Sequence, residues 1–414
     1  MRATADRQRV CQELDTLASI TDGDPPAVTR IVFSETDLRA RRFFKQRCAA
    51  AGLELREDAV GNTFARWQGS SPELPAVATG SHLDAIPNAG RFDGTVGVLG
   101  GLEAVRALLA AGFQPRRSLD VIMFTSEEPT RFGLGCLGSR LMSGVLDPQA
   151  DERLRDREGA TLEIVRRRAG FSGSLETVRL GEDAYAGFVE LHIEQGPVLE
   201  RDGDDIGIVT AIAAPASFRL IIEGEGGHAG AVLMPDRHDA FLAAAEIALI
   251  LESSVRALGG IDTVGTVGVC ELFPGAINSI PSRVRLEIDV RDIDPDRRNH
   301  VFRHTEEAGR LVAERRGVTV RGEVINMDPP ATCAAEIVEA VAGACAARGL
   351  KGQRMISRAY HDSLFMARVA PTGMIFVPCR GGVSHRPDEF ASPEAVANGT
   401  AVLARTLATL AHRS

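Results

Sequence analysis

A strand–helix–strand pattern runs through residues 76–128, AVATGSHLDAIPNAGRFDGTVGVLGGLEAVRALLAAGFQPRRSLDVIMFTSEE. Residues 76–78 and 121–124 are short, continuous apolar runs, which are typical of buried parallel strands. Between them, apolar residues recur at helical spacing over residues 96–109. A β-α-β unit of this kind predicts an α/β fold with a central, mostly parallel sheet and helices on both faces.

The alternation of helix and strand continues on both sides of this unit. Residues 38–48 place apolar side chains on one face of a helix, and residues 188–193 are a strand candidate. The polar stretch 147–185 predicts a peripheral helical insertion. The same pattern returns after residue 329 as a helix, two strands and a closing helix, at 335–348, 355–358, 374–377 and 393–412.

Residues 213–328 follow a different pattern. Strands and helices are predicted there in the order β-α-β-β-α-β, at 217–223, 239–253, 263–272, 284–291, 295–315 and 318–325. This order is that of a ferredoxin-like sandwich, which forms a domain of its own. The sequence therefore predicts two domains, one of residues 1–212 and 329–414, and one of residues 213–328 inserted into the first.

The composition excludes several classes of function. The chain of 414 residues has 47 Lys and Arg against 56 Asp and Glu, a formal net charge of −9, and 5% aromatic residues. It therefore lacks the positive surface and the stacking platforms of nucleic-acid-binding proteins. No apolar stretch is long enough to span a membrane, and seven scattered cysteines without a CxxC pair predict reduced thiols. Together these features predict a cytoplasmic protein that binds neither nucleic acid nor membranes.

Polar side chains gather where four predicted strands end, in the segments 80–94, 126–132, 190–197 and 381–387. In open α/β sheets, ligands bind at the carboxyl ends of the strands. The segments contain three of the nine histidines and several carboxylates, which are ligands that suit a divalent metal ion. The adjacent carboxylates Glu127 and Glu128 repel each other unless a cation or a proton intervenes, so one could hold a metal while the other acts as a base.

Each part of this pattern has a plainer interpretation when it stands alone. A single histidine is more often a surface or structural residue, Glu127-Glu128 is a typical solvated helix start, and Gly381-Gly382 is a turn. Their joint occurrence at successive strand ends favours the metal site. Five ligands with one bridging carboxylate would hold two ions about 3.5–4 Å apart.

Six segments resemble, in order and spacing, the hydantoinase/carbamoylase family of dinuclear metal amidohydrolases, which are relatives of aminopeptidase-type metallopeptidases. They are GSHLDAIPNAGRFDG (80–94), FTSEEPTRFGLGCLGSR (124–140), ELHIEQGPVLE (190–200), GGHAGAVLMP (226–235), NSIPSRVRLEIDVRD (278–292) and GGVSHRP (381–387). The resemblance implies an aminopeptidase-like catalytic domain with an inserted lid and dimerisation domain. It also implies two divalent metal ions per subunit, with Mn²⁺ favoured and Zn²⁺ as the alternative.

The resemblance assigns roles to individual residues. The implied metal ligands are His82, Asp93, Glu128, His192 and His385. Among them, Asp93 would bridge the two ions. Glu127 would be the general base, and Asp84 would orient the imidazole of His82.

The implied substrate-binding residues are Gln195, His228, Asn278, Arg291, Tyr360 and His361. His228 would polarise the scissile carbonyl and reach the active site of a partner subunit, which implies a homodimer, and Arg291 would clamp a carboxylate. The residues alone leave alternatives open, because His228 could belong to a turn, Arg291 to a cross-strand ion pair, Tyr360 to packing and His361 to a structural hydrogen bond.

The activity implied by the resemblance is hydrolysis of a ureido carbon–nitrogen bond in a small ureido acid. Segments 129–130, 213–217 and 357–363 resemble the branch of the family that acts on (S)-ureidoglycolate, which implies this substrate, with allantoate or N-carbamoyl-L-amino acids as the alternatives within the family. A catalytically inactive binding protein of the same fold is the alternative from a different class. The intact set of five ligands argues against it.

Overall fold

The structure of the protein, a computed structural model, describes residues 4–181, 184–257 and 260–413. These residues form two compact units. The larger unit contains the described residues up to Thr210, Thr332–Ser357 and those from His361 onward, and the smaller unit contains Ala211–Ala331 with Arg358–Tyr360.

Residues 358–360 lie in a different unit from the one that the sequence predicts. The predicted boundaries assign them to the catalytic domain, whereas they group with the smaller unit. Arg358 Nη2 donates to Asp262 Oδ1 at 2.7 Å, and the guanidinium of Arg291 lies 5.4 Å from the centre of the Tyr360 ring. These long-range contacts, which have no local sequence signal, attach the tripeptide to the smaller unit.

The helices and strands alternate along most of the chain. In chain order they are α1 Arg7–Ala18, β1 Val28–Arg30, α2 Glu35–Ala50, β2 Glu54–Glu57, β3 Thr63–Trp67, β4 Ala76–His82, β5 Ala85–Ala89, α3 Thr95–Ala110, β6 Leu119–Phe124, α4 Leu137–Met142, α5 Leu162–Arg168, β7 Tyr185–Ile193, α6 Val198–Asp202, β8 Ile206–Ile212, β9 Ala214–Glu223, β10 Gly227–His228, α7 Ala240–Ala257, β11 Val264–Phe273, β12 Ser279–Ile280, β13 Arg283–Asp292, α8 Pro295–Arg316, β14 Thr319–Met327, β15 Ala331–Thr332, α9 Ala335–Ala346, β16 Gly352–Ser357, α10 Asp362–Met366, β17 Thr372–Val377 and α11 Pro393–Ala411.

The larger unit is built on a mixed sheet. Its strand order is β15-β8-β17-β7-β4-β6-β3-β2, with β16 also paired to β8. The central strands β17, β7, β4 and β6 are mutually parallel, whereas β8, β3 and β2 run antiparallel to their neighbours. Helices α3 and α11 pack against β4 and β7, and α10 packs against β7 and β17. The predicted β-α-β unit is confirmed as β4-α3-β6, since β4 and β6 are parallel and every residue of both is buried.

The segment 147–185 is helical as predicted, but it is not peripheral. It contains α5 and two short 3-10 helices at Pro148–Glu152 and Leu175–Val178, and residues 182 and 183 lie outside the described part. Leu162 and Leu175 are almost fully buried in the core of the larger unit. The high charge of the segment conceals this spaced apolar face.

The smaller unit has the predicted β-α-β-β-α-β order, formed by β9, α7, β11, β13, α8 and β14. Its sheet has the order β11-β13-β9-β14 and each of these pairs is antiparallel. Alternate residues of β9 and β13 are buried against α7 and α8, which is why apolar residues recur with a period of two in these strands.

Candidate active site

Parallel register brings the predicted polar segments of the larger unit to one edge of its sheet. His82, the last residue of β4, pairs in register with Phe124, the last residue of β6, three residues before Glu127. On the other side, His192 of β7 pairs in register with Phe376 near the end of β17. Residues more than 40 positions apart in the sequence therefore meet at the carboxyl ends of the strands.

The structure brings all five predicted metal ligands together in two groups that share Asp93. The first ligand group is His82, Asp93 and His192, and the second ligand group is Asp93, Glu128 and His385. Within each group, the nitrogen and oxygen atoms available to a metal lie within 4.8 Å of one another.

The two carboxylate oxygens of Asp93 face different ligand groups. Oδ1 lies 3.2 Å from His192 Nε2 and 3.6 Å from His82 Nε2, whereas Oδ2 lies 3.2 Å from His385 Nε2. His385 Nε2 is also 3.6 Å from Glu128 Oε1. Imidazole nitrogens and carboxylate oxygens at this spacing are the donor set that a divalent ion such as Zn²⁺ or Mn²⁺ accepts, so the residues present fit two such ions.

Each histidine of the first ligand group has its second ring nitrogen next to a main-chain carbonyl. His82 Nδ1 lies 2.9 Å from the carbonyl oxygen of Asp84, and His192 Nδ1 lies 2.9 Å from that of Ile193. Such contacts orient the rings with Nε2 toward the ligand group. Asp84, predicted to orient the imidazole of His82, contacts it mainly through its main chain, since its carboxylate oxygen is 3.8 Å from Nδ1.

The carboxylate of Asp84 instead holds the main chain of the adjacent glutamates. Its two oxygens accept hydrogen bonds from the N–H of Glu127 at 3.2 Å and of Glu128 at 3.0 Å. Glu127 Oε1 accepts from the thiol of Cys136 at 3.4 Å, and Glu127 Oε2 lies 3.7 Å from His82 Nε2. One carboxylate oxygen of Glu127 therefore faces the first ligand group.

The pKa values of the three carboxyl groups at the site are shifted by burial and by neighbouring charges. Burial raises the pKa of Glu127 well above its ordinary value, opposed by His82 and reinforced by repulsion from Glu128. Burial and the charge of Asp93 raise the pKa of Glu128 to about 7. Hydrogen bonds from His192, His385 and His82 outweigh burial and hold the pKa of Asp93 well below its usual range. A nearby cation would favour the ionised forms of Glu127 and Glu128, whose ionisation burial opposes.

Strained backbone supports the site. Ser126, Gln195 and His385 have φ values of 57°, 55° and 57°, a region that residues other than glycine rarely adopt. Gly94 follows Asp93 with φ of 66°, and a Cβ atom there would lie 2.4 Å from His82 Nε2. Only glycine allows the main chain to pass so close to a ligand atom.

Gln195 and His361, both predicted to bind substrate, also lie at this edge of the larger unit. Gln195 Nε2 donates to Asp93 Oδ2 at 2.8 Å, and Gln195 Oε1 is buried and accepts no hydrogen bond from the described residues. The buried ring of His361 lies 4.4 Å from that of His192, centre to centre, and precedes α10.

The remaining predicted substrate-binding residues belong to the smaller unit, whereas the predicted metal ligands belong to the larger unit. His228 on β10 is exposed, and its neighbour Ala229 donates a main-chain hydrogen bond to the carbonyl of Asn278 at 2.9 Å. Arg291 forms an ion pair within its own strand rather than across strands, with Nε donating to Asp289 Oδ1 at 2.7 Å, and its guanidinium lies over the ring of Tyr360.

Several polar residues of the site have no role assigned in the sequence analysis. Ser384 and Glu389 contact Asp93 or its main chain, and Glu190 accepts hydrogen bonds from the hydroxyls of Ser81 and Ser363. Glu389 follows His385 by four residues, and this proximity to a predicted ligand is the sequence signal that points to it. Glu190 falls inside a segment already singled out, but nothing local marks its burial.

Two ligand groups that share a carboxylate, with a further carboxylate beside them, define a metal-dependent hydrolase. The chain belongs to the peptidase family M20/M25/M40, whose profile matches residues 78–409. Enzymes of this family use divalent metal ions, which agrees with the clustered ligands.

Relatives within this family include hydantoinase/carbamoylase-like amidases. The chain is 54% identical to the ureidoglycolate hydrolase of Oryza sativa subsp. japonica over 96% of this chain and 84% of that protein. It is 38% identical to the N-carbamoyl-L-amino acid amidohydrolase of Geobacillus stearothermophilus, over 98% of each. Crystal structures of AtUAH in complex with glyoxylate and with (S)-hydroxyglycine superpose on this chain with a TM-score of 0.93, at 51% identity over 99% of both chains.

No helix among the described residues is long and apolar enough to cross a membrane.

Proposed function

We propose that this protein hydrolyses the ureido carbon–nitrogen bond of (S)-ureidoglycolate, in the catabolism of purines through allantoin, with two divalent ions per subunit. The observation that carries the chemistry is Asp93, whose two oxygens face separate ligand groups, with Glu127 beside the first group. The high identity to a ureidoglycolate hydrolase supports the choice of substrate.

The proposed ions would be held by His82, Asp93 and His192 in one position and by Asp93, Glu128 and His385 in the other. When bound, two divalent ions would supply Lewis acidity, which lowers the pKa of the attacking water and stabilises charge on the scissile carbonyl. Three imidazoles and two carboxylates accept either Mn²⁺ or Zn²⁺. We favour Mn²⁺, with Zn²⁺ as the alternative, because of the resemblance to ureidoglycolate-hydrolysing enzymes.

Glu127 is proposed as the general base. Its Oε2 faces the first ligand group, and its main chain is fixed by Asp84. It takes the proton of the attacking water and returns it to the leaving nitrogen, which is work for a carboxylate whose affinity for protons is raised by burial. The two adjacent glutamates thus have different proposed roles, Glu127 as the base and Glu128 as a metal ligand.

Six residues are proposed to bind the substrate. Gln195 offers a buried oxygen to an N–H group of the ureido moiety, and His361 lies beside His192. From the smaller unit, His228 polarises the ureido carbonyl, while Arg291 binds the carboxylate of the substrate. The remaining proposed contacts are Asn278 and Tyr360. Tyr360 is supported by its position against the guanidinium of Arg291.

The chemistry of the substrate agrees with the two ligands of the AtUAH structures. Hydrolysis of the ureido bond releases ammonia and carbon dioxide and leaves hydroxyglycine, which loses a second ammonia to give glyoxylate. In total, one ureidoglycolate and one water yield one glyoxylate, two ammonia and one carbon dioxide. Glyoxylate and (S)-hydroxyglycine, the molecules bound in those structures, are thus what remains of this substrate after each step.

We also propose a homodimer in which His228 and neighbouring residues of the smaller unit reach the active site of the partner subunit. Exposed apolar side chains on this unit support an interface, namely Phe241, Leu242 and Leu249 of α7 and Leu272 and Phe273 of the edge strand β11. Clusters of exposed apolar residues mark protein–protein contacts.

The proposed location of the protein is the cytoplasm. Seven free cysteines, five of them buried, support a reducing compartment of this kind.

Ammonia release from ureidoglycolate, allantoate and N-carbamoyl-L-amino acids, measured side by side with added Mn²⁺, tests the proposed substrate. We expect kcat/KM to be highest for (S)-ureidoglycolate. Faster turnover of allantoate or of an N-carbamoyl amino acid would assign the protein to the other branch of the family. Loss of all three activities in a protein that binds metal would favour an inactive binding protein.

A further inference from the structure

Glu389 is a buried carboxylate that connects two loops of the site. It is 4% exposed and lies between β17 and α11. Its Oε1 accepts hydrogen bonds from the main-chain N–H of Phe92 at 2.8 Å and of Asp93 at 3.1 Å. Its Oε2 accepts from the hydroxyl of Ser384 at 2.9 Å, next to His385. One side chain therefore holds both the loop that carries Asp93 and the loop that carries His385.

A chain of hydrogen bonds ends at this carboxylate. The amide of Gln195 can donate to Asp93 Oδ2 at 2.8 Å and to Ser384 Oγ at 3.2 Å. The hydroxyl of Ser384 lies 3.1 Å from Asp93 Oδ2 and 2.9 Å from Glu389 Oε2, and it has only one proton to donate. Because Gln195 already donates to Asp93, we assign the hydroxyl proton of Ser384 to Glu389. This chain of hydrogen bonds therefore needs an acceptor at position 389.

The surroundings are shaped for this side chain. A Cβ atom on Gly90, at the start of the Asp93 loop, would lie 2.3 Å from Glu389 Oε1. His385 itself has φ of 57°, a strained conformation that persists only where surrounding contacts hold it. Glu389 contacts Ser384, the residue before His385, and this contact is of the kind that can hold the strained conformation.

The two ligand groups depend on Glu389 to different extents. His82 and His192 sit at the ends of strands, and each ring is oriented by a main-chain carbonyl that Glu389 does not touch. In the second ligand group, Asp93 and His385 both lie on loops that Glu389 connects. Removal of the carboxylate should therefore disturb the second group more than the first.

We propose that Glu389 is a positioning residue for the second ion. It holds Asp93 Oδ2 and His385 in the relative positions that the ion requires. This inference rests on the dinuclear site of the proposed function. Groups that orient metal ligands typically change metal affinity by about 10–100-fold when they are replaced.

Titration of the metal-free, full-length protein with Mn²⁺, followed by the electron paramagnetic resonance signal of free Mn²⁺, tests this role. The wild type should bind two ions. Glu389→Ala should weaken one site by about 10–100-fold and the other site, which shares only Asp93 with it, by less. Glu389→Gln should have a smaller effect in the same direction, because its carbonyl oxygen can still accept from Phe92 and Asp93 while its amide cannot accept from Ser384.

Glu103→Gln is the matched control, since Glu103 is a fully buried glutamate of α3 that pairs with Arg9 outside both ligand groups. It should leave both affinities unchanged, and circular dichroism checks that each variant folds. Unchanged binding of both ions by Glu389→Ala and Glu389→Gln, or equal weakening of both sites, would overturn the inference. Ureidoglycolate hydrolysis is assayed separately on the wild type, so a protein with the predicted binding but no turnover would overturn the proposed function alone.

Discussion

At the scale of single residues, the site separates tasks between chemically identical groups. Glu127 and Glu128 are neighbours in sequence, yet Glu127 Oε2 faces His82 and Glu128 Oε1 faces His385. The carboxylate of Asp84 makes this possible, because it binds the N–H groups of both glutamates and fixes the turn of the chain between them.

The general base can be removed without removing a metal ligand. Glu127→Gln should lower kcat by about 10²–10⁴-fold, because general acid–base catalysis contributes on that order. Metal content, measured by elemental analysis of the same sample, should stay at the wild-type value. Glu307→Gln, an exposed position on α8, is the control and should be fully active. Retained turnover, or loss of metal from the Glu127→Gln protein, would refute the assignment of the base.

Gly94 offers a second test at this scale. Gly94→Ala places a methyl group 2.4 Å from His82 Nε2 and should weaken the ion held by the first ligand group. Gly112→Ala is the matched control, because Gly112 has a similar φ of 69° but nothing within 4 Å of its Cβ position. Both variants should lose about 1–3 kcal/mol of stability through backbone strain. Only Gly94→Ala should lose metal in equilibrium dialysis, and equal metal binding by the two would show that the close approach is unimportant.

At the scale of elements, α3 follows the Asp93 loop and packs against the sheet through a glycine, which leaves no room for a Cβ atom. A Cβ atom on Gly97 would lie 2.4 Å from the carbonyl oxygen of Leu191 and 2.5 Å from Ser81 Cβ. These are atoms of β7 and β4, the strands that carry His192 and His82. The small face of α3 thus sets the distance between its own N-terminus and both strand ends.

Two alanine substitutions in helices should change stability in opposite directions. Gly97→Ala should destabilise by about 1–3 kcal/mol, the usual cost of overpacking. Gly343→Ala in α9, where nothing lies within 4 Å of the Cβ position, should stabilise by about 0.5–1 kcal/mol, because alanine favours the helix. Thermal unfolding of both variants measures the difference. A neutral Gly97→Ala would mean that α3 can move away from the sheet at little cost.

The elements also show what sequence patterns can predict. Helical and alternating periodicity identified α3, β4, β6 and the elements of the smaller unit, because these bury one face or lie fully in the core. Strand ends then indicated His82, Glu128 and His192. Contacts between distant segments were not predictable, as between Phe92 and Glu389, which are 297 positions apart. The apolar positions of α5 were hidden in a charged segment.

At the scale of the whole molecule, the proposed dimer makes a distinct prediction about complementation. His228→Ala and Glu127→Gln proteins should each be inactive. Mixed under conditions that exchange subunits, they should regain about a quarter of the wild-type sites, since half of the dimers are mixed and each has one site with both residues intact. The reaction rate after mixing is compared with that of each variant alone. No gain in a mixture shown by native mass spectrometry to contain mixed dimers would place His228 outside the partner's site.

The central claim is that the clustered histidines and carboxylates hold ions required for the hydrolysis of ureidoglycolate. The most direct test measures glyoxylate and ammonia formed from (S)-ureidoglycolate by the chelator-treated protein, before and after Mn²⁺ is restored. We predict no turnover by the metal-free protein, and recovery with two ammonia per glyoxylate once two ions are bound per chain. Turnover that persists in the metal-free protein, or its absence after two ions are bound, would contradict this account.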